Sequence, residues 1–195
     1  MIALMNKTSP HLNKRGLLCA SLVQTRWGFL AIAFEGSSVI ALELPDTDKK
    51  IVRQRLTSRC GPLTWVEKPF PEVADLLVRY FKGEPVSFDK IRVAPPDGTP
   101  FYREVWKRLQ AIPYGELVTY GQLAAMLGRP RAARAIGGAV GANPIPLVIP
   151  CHRVIQNGGK LGGFSAPGGT SYKKRLLQLE DHHLKGDRRL APVGR

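Results

Sequence analysis

The run Ile149-Pro150-Cys151-His152-Arg153-Val154 sets a cysteine, an imidazole and a guanidinium side by side behind a proline. The thiolate is the reactive form of cysteine, and a free thiol with a pKa near ~8.5 is only slightly ionised at neutral pH. An adjacent histidine acting as base and a nearby arginine charge would raise that fraction. Pro150 bars a helix from running through from the N-terminal side, so Cys151 is expected to start a new conformation, presented rather than buried. The dipeptide alone also fits a small buried hydrophobe with a polar neighbour. Glu180 supplies a possible third member. It ends a predicted helix that starts near Thr170 and carries Leu176, Leu177 and Leu179, and a carboxylate there opposes the helix dipole. That cost points to a partner elsewhere, with His152 the expected one, in a nucleophile–base–orienter set.

Helices must position this chemistry. Thr99-Pro100 is a cap followed by a proline at the first helical position, ahead of a stripe of Phe101, Val105, Trp106 and Leu109. Thr119 and Gln122 form a capping box before Leu123, Ala124, Met126 and Leu127. Gly128-Arg129-Pro130 stops that helix, and a second is expected from Arg131 to about Val140. Two short helices joined by a tight turn are a helix-turn-helix candidate. In the second, Ala133, Ile136 and Val140 face inward, leaving Arg131, Arg134, Ala135 and Gly138 outside. Gly137 and Gly138 each cost roughly 1 kcal/mol relative to alanine in a helix. A flat, small-residue surface rimmed by arginines would let a nucleic-acid backbone come close, although close helix–helix packing would use the same residues. Asn143-Pro144-Ile145-Pro146 then forces an extended path toward Cys151. Beyond it, Gln156-Asn157-Gly158-Gly159 reads as a hairpin turn and Gly162-Gly163-Phe164-Ser165 as a loop of close backbone approach.

The first half alternates β-like runs with turns. Leu17 to Gln24, Gly28 to Phe34 and Val39 to Leu44 predict strands, and Lys49 to Leu56 and Pro71 to Phe81 predict helices. Ala94-Pro95-Pro96-Asp97-Gly98 is the best linker signal. The expected division is an N-terminal domain over 1–94, a C-terminal domain over 99–180, and a basic tail over 181–195 with little apolar content. Net charge is +14. Residues 99–195 hold 15 Lys/Arg against 5 Asp/Glu, and residues 1–98 hold 14 against 10, so the excess sits with the Cys-His motif. A polyanionic partner is implied. No apolar run reaches the ~18 residues of a membrane span. The N-terminus lacks a secretory pattern, and the three cysteines (Cys19, Cys60, Cys151) are no disulfide framework, so the cytosol, or the nucleus of a eukaryote, is the expected compartment. His11, Cys19 and Cys60 form no close ligand pair, so neither a metal nor another cofactor is expected.

These residues resemble the methylated-DNA–protein-cysteine methyltransferase family, the O6-alkylguanine-DNA alkyltransferases. The matching stretches are Gly98 to Tyr102, Ile112 to Gly121, Arg131 to Gly138, Asn143 to Pro146, Ile149 to Val154 and Gly158 to Ser165. The resemblance is looser over 17–90, where Phe81-Lys82-Gly83-Glu84 carries it. It implies an α/β protein: a ribonuclease-H-like α/β domain, then a mostly helical domain with a winged helix-turn-helix-like DNA-binding motif. Cys151 would accept an alkyl group from O6 of guanine, and from O4 of thymine, in a single irreversible turnover. His152 would take the thiol proton through a water, with Glu180 holding the imidazole. Tyr120 would donate to the guanine ring and Asn143 would brace the turn into the active-site loop. Ser165, Val154, Gly162 and Phe164 would line the base pocket. Arg134 would fill the stack as the nucleotide rotates out, with Thr119, Arg131, Ala133, Ala135, Gly137 and Gly138 at the minor groove. The implied partner is double-stranded DNA, bound by a monomer, with cooperative assembly on DNA left open.

Two other readings compete. Non-catalytic lesion-binding relatives replace the cysteine, which Cys151 argues against. A Cys-His hydrolase or acyl transferase would need an oxyanion hole and would gain nothing from a basic helix pair.

Overall fold

The computed structural model describes residues 18–67, 70–95 and 97–180. The expectations placed on Leu17 and the N-terminus before it, on Pro96 and on the basic tail lie outside the described residues.

Three strands form first: β1 (Leu18–Thr25), β2 (Gly28–Glu35) and β3 (Ser38–Asp46), joined by tight turns into antiparallel neighbours. A fourth, β4 (Thr64–Trp65), pairs parallel to β1, giving the order β3-β2-β1-β4. At two residues β4 is too short to leave a periodic signal. Side chains alternate across β2, as the pleat requires. Ala31 and Ala33 pack under α1 (Lys49–Cys60) with Val52 and Leu56. Leu30 and Ile32 face the opposite way, toward α2 (Pro71–Lys82), whose Val73, Leu77, Tyr80 and Phe81 are buried. The sheet is thus covered on both sides.

The second face does not end at the linker. Its apolar cluster continues through Val105, Trp106 and Leu109 of α3 (Pro100–Gln110) to Ile136 and Ala139 of α5 (Ala133–Gly141) and Leu176 of α6 (Gly169–Leu179). The caps lie where expected: the Thr99 hydroxyl accepts from Tyr102 N, and the Thr119–Gln122 capping box opens α4 (Tyr120–Met126). Trp106 Nε1 donates to Ala139 O at 2.8 Å and fixes α5 on α3.

Two local expectations need correction. Helix α5 begins at Ala133, so Arg131 lies in the preceding turn, which Ala132 N closes on Arg129 O at 2.8 Å. Gln156 to Gly159 turns the chain as expected but joins no two paired strands. The strand β6 (Val154–Ile155) pairs in parallel with β5 (Val118–Thr119), and the chain then folds into a 3-10 turn that Gly159 N closes on Gln156 O at 3.3 Å, with Gln156 N donating across it to Lys160 O at 2.8 Å. A turn with Gly158 at φ 76° suits either path, so its composition alone could not tell them apart.

Candidate functional site: a buried thiol between two cavities

The segment from Asn143 to Val154 enters the core between the two halves of the chain. Leu42 N of β3 donates to Pro144 O at 3.0 Å, anchoring it to the sheet. The Asn143 side chain spans the turn, its Nδ2 donating to Ile149 O at 2.7 Å and its Oδ1 accepting from Ile145 N at 3.0 Å. A 3-10 turn then carries Cys151, His152 and Arg153, all buried. Pro150 does break the chain as expected, but the break does not put Cys151 on the surface: only 5% of it is exposed. The surrounding apolar residues enclose the thiol, and burial pushes its pKa up, opposed by a hydrogen bond from Asn143 and by the Lys173 charge. Cys151 therefore rests as a thiol and has to lose its proton as it reacts.

His152 and Glu180 meet. His152 Nε2 lies 2.7 Å from Glu180 Oε1, both side chains fully buried. Arg153 turns away from the thiol, which corrects the expectation that it activates Cys151. Its Nε and Nη2 donate to Glu180 at 3.0 Å each, and its Nη1 donates to Ile112 O at 2.6 Å. Tyr80 OH donates to Glu180 Oε1 at 2.8 Å, and Gly115 N to Oε2 at 3.2 Å. Burial alone would raise the Glu180 pKa, but the imidazole and guanidinium outweigh it and hold the carboxyl well below its usual range. The guanidinium already neutralises that carboxylate, so a second cation beside it would be buried without a counter-charge. Burial accordingly lowers the His152 pKa and keeps the ring neutral. With Glu180 ionised, Nε2 carries the proton and donates it. Nδ1, which has no hydrogen-bond partner among the described residues, is left as the acceptor.

Tyr80 and Lys173 are residues that sequence reasoning missed. Tyr80 falls inside the predicted helix from Pro71 to Phe81, but nothing in sequence tells a buried tyrosine with a carboxylate partner from one without. Lys173 left a signal: it falls three and four residues before Leu176 and Leu177, on the buried stripe of α6. Its ammonium donates at 2.5 Å to both Val154 O and Leu161 O, and burial lowers its pKa to about 8.

Cys151 lines two cavities. One, of ≈ 420 Å³, is bounded by Tyr120, Gly137, Val140, Gly141 and the Gly163–Ser165 loop. Gly162, at φ 72°, explains that loop's close approach: a Cβ there would stand 3.3 Å from the Tyr120 ring. Burial raises the Tyr120 pKa, so its hydroxyl stays a donor. Phe164 borders this cavity and Ser165, largely exposed, donates to Gly141 O at 2.8 Å. Val154 is buried, and its carbonyl is engaged by Lys173.

On the outer face, Arg131, Arg134, Ala135 and Gly138 are exposed, with Ala133 and Gly137 half-buried. A Cβ at Gly138 would stand 3.2 Å from Tyr102 OH. Thr119 is only 6% exposed and its hydroxyl caps α4, so it supports the helix pair from inside rather than offering a surface contact. Among the described residues no group of three or more His, Cys, Asp or Glu could hold a metal, and no helix is long and apolar enough to cross a membrane.

Comparison with known proteins bears on this arrangement directly. The 6-O-methylguanine DNA methyltransferase DNA-binding domain matches residues 100–182. The methylated-DNA–protein-cysteine methyltransferase of Methanosarcina barkeri is 48% identical over 126 residues, covering 64% of this chain and 77% of that protein. The Salmonella typhimurium protein of that name is 52% identical over 112 residues, covering 57% of this chain and 64% of the relative, just under two thirds of its length. The crystal structure of Mycobacterium tuberculosis O6-methylguanine methyltransferase superposes with a TM-score of 0.69 at 36% identity, over 88% of this chain and 97% of that one. The M. tuberculosis structure in complex with DNA gives 0.67 at 39% identity, over 83% and 92%. Sequence and fold agree over both halves, and the chain belongs to the methylated-DNA–protein-cysteine methyltransferase family.

Proposed function

We propose that this protein repairs double-stranded DNA by moving an alkyl group from O6 of guanine, or O4 of thymine, onto Cys151. The observation that carries the reading is the buried Cys151 at the mouth of the Tyr120 cavity, backed by a neutral His152 held by Glu180. His152 Nδ1 takes the thiol proton through a water. The thiolate sulfur attacks the substituent carbon in line, a C–S bond forms, and the C–O6 bond breaks with its electron pair going to the guanine. Tyr120 donates its proton, or a hydrogen bond, to the ring as that charge develops. Unmodified guanine leaves, and the stable thioether ends the protein's activity after one turnover.

A base inside the duplex cannot reach a buried thiol, so the nucleotide has to rotate out. Helix α5, in a winged helix-turn-helix-like motif, lies in the minor groove on its small-residue face, with Ala133, Ala135, Gly137 and Gly138 toward the backbone. Arg131 contacts phosphate. Gly162, Phe164, Ser165 and the backbone of Val154 line the base pocket. The N-terminal unit, 1–94, is a ribonuclease-H-like α/β domain and 99–180 the alkyltransferase domain. The protein acts as a monomer in the cytosol, or in the nucleus of a eukaryote. Incubation with benzylguanine tests the core of the reading. The expected result is a mass increase of one benzyl group, mapped to Cys151; an unmodified protein, or a label on Cys19 or Cys60, overturns it.

Arg134 is expected to act only on duplex DNA. Extrusion costs a few kcal/mol of unstacking, and a side chain in the vacated space offsets part of it. Recovering about 1.4 kcal/mol is already tenfold in rate. Arg134→Ala should slow repair of methylated guanine in a duplex by roughly tenfold, yet leave reaction with free benzylguanine nearly unchanged, because a free base needs no flipping. Arg131→Ala should weaken binding without that selectivity. Second-order rates on both substrates decide it. Equal loss on both for Arg134→Ala would assign the residue to the fold instead.

A further inference from the structure

The second cavity at Cys151, walled by α1 through Arg55 and Arg59, is part of the same site. A group that the reaction leaves unused lies on the outer face, at Tyr102. The Thr99 hydroxyl accepts from Tyr102 N, so Tyr102 sits in the first turn of α3. Its half-buried ring packs edge-on against Trp106, with ring centroids 5.9 Å apart. Trp106 in turn donates to Ala139 O and holds α3 beside α5. This packing carries the Tyr102 hydroxyl out over Gly138, where a Cβ would stand 3.2 Å from the phenolic oxygen. Gly138 is exposed and shares its face with the exposed Arg134, one helical turn earlier. Among the described residues the hydroxyl has no hydrogen-bond partner. Phenylalanine would pack on Trp106 as well, so packing does not account for the oxygen.

Resting on the reading that α5 lies in the minor groove, we infer that Tyr102 is a further DNA contact, its hydroxyl donating to a phosphate oxygen beside the extruded nucleotide. With α5 filling the groove, the base edges on its floor face α5 itself. Helix α3 lies to one side, where the groove wall offers phosphate and sugar oxygens. Of these, the ionised phosphate oxygen makes the stronger bond to a hydroxyl. Gly138, having no Cβ, keeps the path from the hydroxyl to that wall open. Glu104, the acidic residue of α3, is held by Arg129 at 3.0 Å, and the Arg129 guanidinium also lies 5.1 Å over the Phe101 ring. That pairing offsets the carboxylate's repulsion of a phosphate. A neutral donor adds register rather than charge, which is what phosphate contacts contribute to a protein that must dock in any sequence.

The test uses the full chain, an unmodified duplex, duplexes carrying one O6-methylguanine, and free benzylguanine. Tyr102→Phe keeps the ring and removes only the donor. It should weaken binding to the unmodified duplex by about tenfold, the scale of one hydrogen bond to a charged oxygen. A neutral donor displaces no counterion, so log K against log[salt] should keep its slope, whereas Arg131→Ala should flatten it by about one. Reaction with free benzylguanine should stay nearly unchanged. A methylphosphonate replaces one charged phosphate oxygen with a methyl group. Placed in turn at each phosphate flanking the O6-methylguanine, it should slow second-order repair by the wild type at one position where Tyr102→Phe loses far less. The inference is overturned if Tyr102→Phe binds duplex as the wild type does, if its salt slope falls, if it slows the free-base reaction equally, or if no phosphate position separates the two proteins. A wild type that binds no duplex would instead overturn the DNA-repair reading itself.

Discussion

Cys151→Ala is expected to abolish alkyl transfer while duplex binding stays nearly intact. Among the described residues the sulfur is the only thiol bordering both cavities, and alanine leaves no thiol there to accept the alkyl group. Serine should do no better, since a hydroxyl in that buried place is far harder to ionise than a thiol already pushed upward by burial. The proposed DNA face, by contrast, lies on the outer side of α5, and removing one small buried side chain costs stability on the order of 1–2 kcal/mol, too little to unfold it. Cys19 on β1 and Cys60 at the end of α1 line neither cavity, so serine at both positions should leave transfer in place. Transfer of labelled methyl from duplex to protein, alongside a binding titration, reads both effects. An alanine variant that still took up label would move the chemistry to one of those two thiols.

What sequence revealed here follows from how local each signal is. The helix caps, the apolar run of β2 and the apolar stripe of α3 are written in neighbouring residues, and the structure places these elements within a residue or two. The start of α5 was set too early because Gly128-Arg129-Pro130 was read as the whole turn, whereas the turn runs on to Ala132, whose N–H closes it on Arg129 O. The site was legible where it is contiguous. Cys151 and His152 are neighbours, and Glu180 stood out because a carboxylate at a helix C-terminus is locally unfavourable.

Residues brought in over long separations left little trace. Tyr80 reaches Glu180 from one hundred positions away and Arg55 faces Cys151 across the linker, so no window of sequence contains either pair. Arg153 was misjudged for a related reason. Adjacency in sequence suggested it serves the thiol, but consecutive residues of a 3-10 turn point about a third of a turn apart, and Arg153 turns to the carboxylate instead. The cavity beside α1 depends on packing between the two halves and was beyond any local reading.

Glu180 carries the second large effect. Five donors from Tyr80, His152, Arg153 and Gly115 converge on one buried carboxylate. Glu180→Ala leaves the Arg153 guanidinium buried without its counter-charge, a change that costs about 3–5 kcal/mol. Glu180→Gln keeps the shape and one acceptor, so it should fold and isolate the charge. Without the carboxylate, nothing selects the Nε2–H form of His152, and transfer should fall by about 10²-fold or more as the general base is lost. The pH dependence follows from two depressed pKa values. His152 lies below its unfolded value of ~6.5, so the unfolded chain binds a proton the folded one refuses, and stability declines as pH drops below that point. Glu180 lies well below its unfolded value of ~4.3, so its contribution is full above that pH and is lost as pH falls toward the folded value. Denaturant unfolding of wild type and Glu180→Gln across pH should therefore show a wild-type advantage that is constant near neutrality and shrinks below ~4.3. An advantage independent of pH down to acid unfolding would mean the carboxylate is not ionised in the fold, and the base assigned to His152 would lose the partner that orients it.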